Sequence, residues 1–352
     1  MNFTDYSEKA KGLIQEQLRQ FLSEKKREDI PESFKRQKAI ESLEEFVLRG
    51  KLIRGTLFLL TVEYFGEQIS EKHIKVACAI ELVHSALLIQ DDIIDNDAIR
   101  RGEKSIHTKY RDIGGHVKAS DPGHYGVSVA IVISDIAFFL AFELLSSFEE
   151  STLGNLLKFY SHEIYLVALA EGIDSEFGQT KIEPNEDDIY SVYHYKTARY
   201  TFSMPFVMAG VVSSASSETV KQLEKIGELA GTIFQLKDDV IGIFGSEEVI
   251  GKPVGSDIRE NKKTLIRALL YKMCDEDERK KLDMSFGNPS LTNAQLEEVV
   301  ALAKKYSIEE IINEKIKEIA DEQNELFGKL PDNGAYKKVF ADLLVFNLKR
   351  TY

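Results

Sequence analysis

Apolar residues recur at helical rather than strand spacing along most of the chain. Residues 37–47 (QKAIESLEEFV) put Ile40, Leu43, Phe46 and Val47 on one face. Residues 74–95 form a second stripe from Val76, Ile80, Val83 and Leu87, at steps of four, three and four. Residues 228–244 do the same with Ile233, Leu236, Val240 and Phe244, and 297–327 read as charged amphipathic helices. Alternating strand-like runs are scarce, and no βαβ pattern with a glycine-rich phosphate loop occurs. Breaks fall at 27–36, 111–126, 178–188, 245–264 and 285–292, none with the character of a long linker. The expectation is one all-α domain over residues 1–352. Residues 126–145 (GVSVAIVISDIAFFLAFELL) are as long as a membrane span but carry Asp135 and Glu143. An acidic group near the bilayer centre costs ~3 kcal/mol, so the stretch is predicted to be a buried core helix and no transmembrane segment is expected.

Composition narrows the function. Seven prolines are few for 352 residues, which favours long helices. The two cysteines, Cys78 and Cys274, lie far apart, so neither a disulfide scaffold nor a thiolate zinc site is expected. A net charge of −13 argues against nucleic-acid binding. Small anionic ligands need only a local basic cluster. The opening residues, MNFTDYSEKAKGLIQEQL, lack a basic stretch followed by an apolar core, so no signal peptide is expected and the cytoplasm is the expected location.

The candidate chemistry begins at ELVHSALLIQDDIIDNDAIRRG, residues 81–102. Asp91, Asp92 and Asp95 stand at i, i+1 and i+4, so Asp91 and Asp95 lie one turn apart, and His84 extends their stripe backwards. The helix is otherwise apolar and hence buried, so these carboxylates are expected to line a cavity. Like charges at 4 Å repel by about 4 kcal/mol at an effective dielectric near 20, so they need cations. Carboxylates without cysteines or paired histidines suit hard ions, chiefly Mg²⁺. A second segment, FQLKDDVIGIFG (234–245), repeats the arrangement with Asp238 and Asp239, Gln235 one turn before and Gly242 one turn after. Two such helices facing one cavity would hold a di- or triphosphate through metals. A single acidic pair of this kind is ordinarily a solvated face. Two of them in apolar helices, with basic residues close by in sequence, make the metal–phosphate reading the stronger one. Lys51 and Arg54 (GKLIRG), Arg100 and Arg101, Lys196 (YKTARY), and Lys252 and Lys262 supply the cations that phosphate requires.

These segments, with GKPVGSDIRENKKT, form an ordered set over about residues 45–270 that resembles the trans-isoprenyl diphosphate synthases, the polyprenyl synthetase family. The resemblance implies a helical bundle of the isoprenoid synthase type around a deep central cavity, usually a homodimer, with three Mg²⁺ between the acidic motifs. It implies metal binding by Asp91, Asp92, Asp95, Asp238 and Asp257, with Asp239 close by. Arg100, Lys196 and Lys252 would contact the allylic diphosphate, with Lys262 in support. Lys51, Arg54, His84 and Arg101 would hold isopentenyl diphosphate, with Gly50 allowing close approach. Thr197 and Gln235 would face the allylic cation. Such an enzyme separates a carbocation from diphosphate, and the isopentenyl double bond then attacks it. Stabilising the departing anion is the main task, and no protein nucleophile is needed.

Three positions depart from the family pattern: Glu171 stands where a Gln is usual, Gly242 replaces the last carboxylate of the second motif, and Gly55 replaces a Pro. Chain length would be set below the first motif, where Ala86 and Leu87, with Val83 and Ile80 deeper, leave room for a product beyond C15, C20 being expected. Farnesyl or longer diphosphates are the alternatives. Glu81 and His84 also spell the ExxH of a di-iron bundle, which requires a second copy that the chain lacks. A terpene cyclase would not need the second basic group, and a non-catalytic partner subunit would be expected to have lost a carboxylate pair.

Overall fold

The computed structural model describes residues 1–28, 36–245 and 255–349. Among these residues, strand is confined to one two-residue hairpin and the remaining regular structure is helical, as the spacing predicts. The chain divides into two compact units. Met1–Leu157, Ala209–Ser214 and Asn333–Phe340 form the first, and Lys158–Met208, Ala215–Asp332 and Ala341–Tyr352 the second.

The first unit contains α1 (Phe3–Arg27), α2 (Arg36–Leu48), α3 (Ile53–Tyr64), α4 (Glu71–Ile94), β1 (Ile99–Arg100), β2 (Glu103–Lys104), α5 (Ile106–His116) and α6 (Pro122–Leu145). At its centre is α4, which packs against α1, α2, α3, α5 and α6. Its apolar surface runs nearly all round as far as Ile89, with Val76, Ala77, Ile80, Val83 and Ala86 buried. Each fully buried aliphatic side chain contributes about 1.5–3 kcal/mol. A capping box of Ser70 and His73 opens the helix. The rod is thus fixed along its length, and its last turn presents the charges.

The connection between α5 and α6 is shorter than the 111–126 break suggests. Asp121 caps α6, its Oδ1 accepting the His124 N–H at 3.0 Å, so only residues 117–121 link the two helices. Burial of α6 is one-sided. Packing on α4 and α5 covers Ala130, Ile133, Ser134, Ala137 and Ala141, while Ile131, Val132, Phe139 and Phe142 are exposed, Phe139 by 71%. The helix is long and apolar enough to cross a membrane, yet only 33% of its most apolar window is buried. The expectation of a buried core helix is corrected accordingly. Hydropathy registers two apolar faces and cannot tell which one meets the core.

In the second unit, α7 (Glu150–Gln179, begun in the first unit) is followed by α8 (Glu186–Val192), a π-helical segment (Tyr193–Ser203), α9 (Met204–Val212, ending in the first unit) and α10 (Ser217–Phe244). Then come α11 (Ser256–Arg259), α12 (Leu265–Met273), α13 (Glu276–Ser285), α14 (Asn293–Lys305), α15 (Ile308–Gly328) and α16 (Ala335–Lys349, begun in the first unit). Ile233, Leu236 and Val240 of α10 join Ile258, Leu265, Ile266 and Leu270 in its core. The π segment lies backbone to backbone against α10. A Cβ on Gly231 would fall 2.2 Å from Ala198 Cα, and one on Gly227 2.7 Å from Ser203 N. Residues 227, 231 and 235 are one turn apart, so these two glycines carry Gln235 against the segment. Arg199 ties it down further, reaching Glu163 of α7 at 2.7 Å and Glu224 and Glu228 of α10 at 2.9 and 2.8 Å.

Candidate active site

In the first unit, Asp95 caps α4 and its N–H donates to the Asp91 carbonyl at 2.9 Å, so the two aspartates lie one turn apart as their spacing predicts. The chain then reverses through β1 and β2, whose two-residue turn places Arg101 and Gly102 at φ of 54° and 76°. Two successive positive φ angles match the twist of a short hairpin. The reversal lays Arg100 over the acidic motif. Its Nε donates to Asp92 Oδ1 at 2.5 Å, and its Nη2 to Asp91 Oδ2 at 2.9 Å and Asp97 Oδ2 at 3.2 Å. Burial pushes the Asp92 carboxyl up to about 6 against the pull of Arg100. Asp92 Oδ2 is buried without a hydrogen-bond partner among the described residues. Four closely spaced carboxylates, one guanidinium and an orphaned buried oxygen are an all-oxygen donor set with excess negative charge. That set fits a hard divalent cation.

A cationic group is built on the same unit. Arg54 lies in the first turn of α3, and Lys51 is exposed just before it. Arg101 Nη1 donates to the Phe46 carbonyl at 3.1 Å, and its guanidinium lies over the Phe46 ring. Gly50 is buried beside it, where a Cβ would stand 3.2 Å from Arg101 Nη1. Burial, with Arg100 and Arg54 nearby, pushes Arg101 down to about 10, still charged at neutral pH. Burial and the guanidinium groups of Arg54, Arg101 and Arg100 hold His84 well below its ordinary value, so its imidazole is neutral. Such a concentration of positive charge can receive an anion.

Glu81, only 2% exposed, is the partner that sequence reasoning missed in this role. It accepts the Gly55 N–H at 2.7 Å and carries the charge that opposes Arg54 and Arg101. The proline usual at position 55 in the family pattern has no N–H to give, so Gly55 and Glu81 belong together. The signal available was Glu81 one turn before His84 on α4. Of the chain-length residues, Ile80, Val83 and Ala86 are at most 1% exposed, Leu87 is half-buried, and Ser134 Oγ of α6 donates to the Ala86 carbonyl at 3.2 Å.

In the second unit a hydrogen-bonded chain fixes the second motif. Thr197 Oγ1 donates to Gln235 Oε1 at 2.7 Å, and Gln235 Nε2 donates to Asp239 Oδ1 at 2.9 Å. The Tyr193 hydroxyl donates to Asp239 Oδ2 and accepts the Leu265 N–H at 2.8 Å. Burial pushes Asp239 up to about 8, overcoming the Tyr193 and Gln235 hydrogen bonds that favour its charged form. Asp238 next to it is only partly buried. Tyr193 carries no motif signal, because α spacing does not show which side chains a π turn brings inward. A Cβ on Gly242 would come 2.7 Å from Asp257 Oδ2. The room left by the motif's missing carboxylate is therefore taken by Asp257.

Lys196 Nζ is held by Glu171 at 2.9 Å and Asp174 at 2.6 Å, and Lys262 pairs with Glu260 at 3.2 Å. Lys252 lies outside the described residues. Glu171 adds a negative charge beside a lysine expected to bind phosphate. Glu171→Gln should therefore lower the KM for an allylic diphosphate about three- to tenfold in steady-state kinetics, with kcat little changed. An unchanged or raised KM would show that this carboxylate does not compete for Lys196.

The Polyprenyl synthetase family profile matches residues 36–303. The chain is 29% identical to the geranylgeranyl diphosphate synthase of Sulfolobus acidocaldarius over 85% of its own length and 88% of the relative's. It is 31% identical to the short chain isoprenyl diphosphate synthase of Methanocaldococcus jannaschii over 72% of each chain. Its fold matches the geranylgeranyl pyrophosphate synthetase of Pyrococcus horikoshii with a TM-score of 0.80 at 27% identity, covering 99% of this chain and 98% of that one. A geranylgeranyl pyrophosphate synthase of Corynebacterium glutamicum, solved with isoprenyl diphosphate and magnesium, gives 0.88 at 23% identity over 99% and 100%. With its two aspartate motifs, its basic groups and a profile match over three quarters of its length, the chain belongs to the polyprenyl synthetase family.

Proposed function

We propose that the protein is a trans-prenyltransferase that condenses isopentenyl diphosphate with dimethylallyl, geranyl or farnesyl diphosphate, with C20 geranylgeranyl diphosphate as product. One observation carries this reading. A cationic group of Arg54, Arg101 and neutral His84 stands in addition to the carboxylates of Asp91 and Asp95, which supports sites for two diphosphates. A cyclase handles one. The geranylgeranyl synthases among the relatives support the C20 assignment.

Asp91, Asp92, Asp95, Asp238 and Asp257 would hold magnesium, three ions in the family pattern. When bound, the metal supplies positive charge to the leaving diphosphate. Arg100, Lys196, Lys252 and Lys262 would bind and orient the allylic diphosphate. Lys51, Arg54, Arg101 and His84 would hold isopentenyl diphosphate. Thr197, fixed by Gln235, turns a hydroxyl dipole toward the developing cation without offering a strong nucleophile. The electrons of the isopentenyl double bond form the new carbon–carbon bond, and the proton lost goes to the released diphosphate.

Purified protein given magnesium, isopentenyl diphosphate and each primer in turn should yield a C20 product by chromatography. Products that stop at C15, or consumption of an allylic diphosphate alone, would overturn the assignment. Ala86→Phe should shorten the product, because the new ring would fill space under the first motif. Since Ala86 is fully buried, overpacking should also cost about 1–3 kcal/mol, seen as a lower Tm. Unchanged product length would remove α4 from the chain-length wall. The exposed apolar face of α6 supports a homodimer, because patches of this kind mark protein contacts. Light scattering should give a dimer's mass for the intact chain.

A further inference from the structure

We propose that a cleft at the start of α12, apart from both acidic motifs, binds a small diphosphate-bearing anion. The cleft has a volume of about 510 Å³, and cations outnumber carboxylates among its charged lining residues. Lys263, Arg267, Lys272 and Arg279 face it, against the carboxylates of Glu183 and Asp283. In a chain of net charge −13, such a local excess of positive charge is selective for anions.

Two of these cations are deeply buried, Lys263 with 3% and Arg267 with 6% of the side chain exposed. Both converge on Glu183, which is itself 57% exposed. Arg267 donates to its two oxygens at 2.5 and 2.9 Å, and Lys263 at 2.9 Å. Buried charges are normally matched by buried counter-charges with their hydrogen bonds satisfied. Here one largely solvated carboxylate serves two buried cations, and Arg267 Nε is buried without a partner among the described residues.

The guanidinium is pre-positioned, stacked 4.3 Å from the Tyr271 ring and 5.2 Å from that of Phe286. Tyr271 is fixed in turn by its hydroxyl donating to Asp283 at 2.8 Å. Glu183 thus occupies the position of an oxyanion, and a diphosphate would bring the further charge and acceptors that the buried cations lack. The exposed Arg279 gives the cleft a further cation for the outer phosphate. Lys263 lies in the GKPVGSDIRENKKT segment beside Lys262, whereas Glu183, Arg267, Lys272, Arg279 and Asp283 lie outside the family motifs quoted above.

Titration calorimetry on the full chain in EDTA, with inorganic diphosphate and with ADP as separate probes, tests the site. Omitting metal keeps the aspartate motifs from contributing, and the change between parent and cleft variants separates this site from the cationic group of Arg54 and Arg101. Glu183→Gln, which removes the internal competitor, should tighten binding about tenfold, and Arg279→Gln, at an exposed position, should weaken it three- to tenfold. The tighter of the two probes identifies the source of the diphosphate group, free or nucleotide-borne. Affinities within twofold of the parent in both variants, or no binding heat with either probe, would overturn the proposal.

Discussion

Asp238→Ala is expected to lower kcat about a thousandfold while leaving the Tm within a few degrees of the parent. Loss of one fixed electrostatic contact to a developing anion typically costs 10²–10³ in rate, about 3–4 kcal/mol. A carboxylate that holds a divalent ion falls at the upper end of that range. The fold should be indifferent, because Asp238 is only partly buried and the α10 core is carried by Ile233, Leu236 and Val240. Its neighbour behaves differently. Asp239 is buried with both oxygens hydrogen-bonded, to Tyr193 and Gln235, so its expected part is to position Gln235. Asp239→Asn and Tyr193→Phe should thus cost only about tenfold. Equal losses at 238 and 239, measured in one assay, would contradict this division of labour.

Glu81→Ala should destabilise the protein by about 3 kcal/mol or more and abolish measurable activity. Removing one partner of a buried charge cluster strands the other. Here it removes the buried charge that opposes Arg101 and Arg54 and leaves the Gly55 N–H without its acceptor. Glu81→Gln keeps the acceptor for Gly55 but loses the charge, so its Tm should lie between those of the parent and Glu81→Ala. A variant Glu81→Ala that melts with the parent would show that the cationic group is held by other means.

Much of this site is legible in the sequence because it is written at helical spacing. Asp91 and Asp95, or Gln235 and Asp239, are one turn apart on any α-helix, and an apolar helix around them implies burial. What escapes spacing is contact between distant segments. Asp257 fills the room at Gly242, and Glu81 reaches back to Gly55, 26 residues away in sequence. The hairpin that lays Arg100 on Asp91 and Asp92 is four paired residues, too short to leave a strand pattern. Tyr193 enters through a π segment, whose period differs from the α period used to read the chain. The exposed side of α6 is largely apolar like its buried side, and only Asp135 and Glu143 on it, against the small Ala130, Ser134, Ala137 and Ala141 on the other, separate the two.

The proposal at the centre is that Asp91 and Asp95, and separately Asp238, would bind the metal ions that neutralise an allylic diphosphate. The most direct test is a crystal structure with Mn²⁺ in place of magnesium and a non-hydrolysable allylic thiolodiphosphate, the ions located by anomalous scattering. The account predicts three ions, ligated by oxygens of these aspartates and of the diphosphate. A bound diphosphate with no anomalous peak at Asp91 or at Asp238 would contradict it.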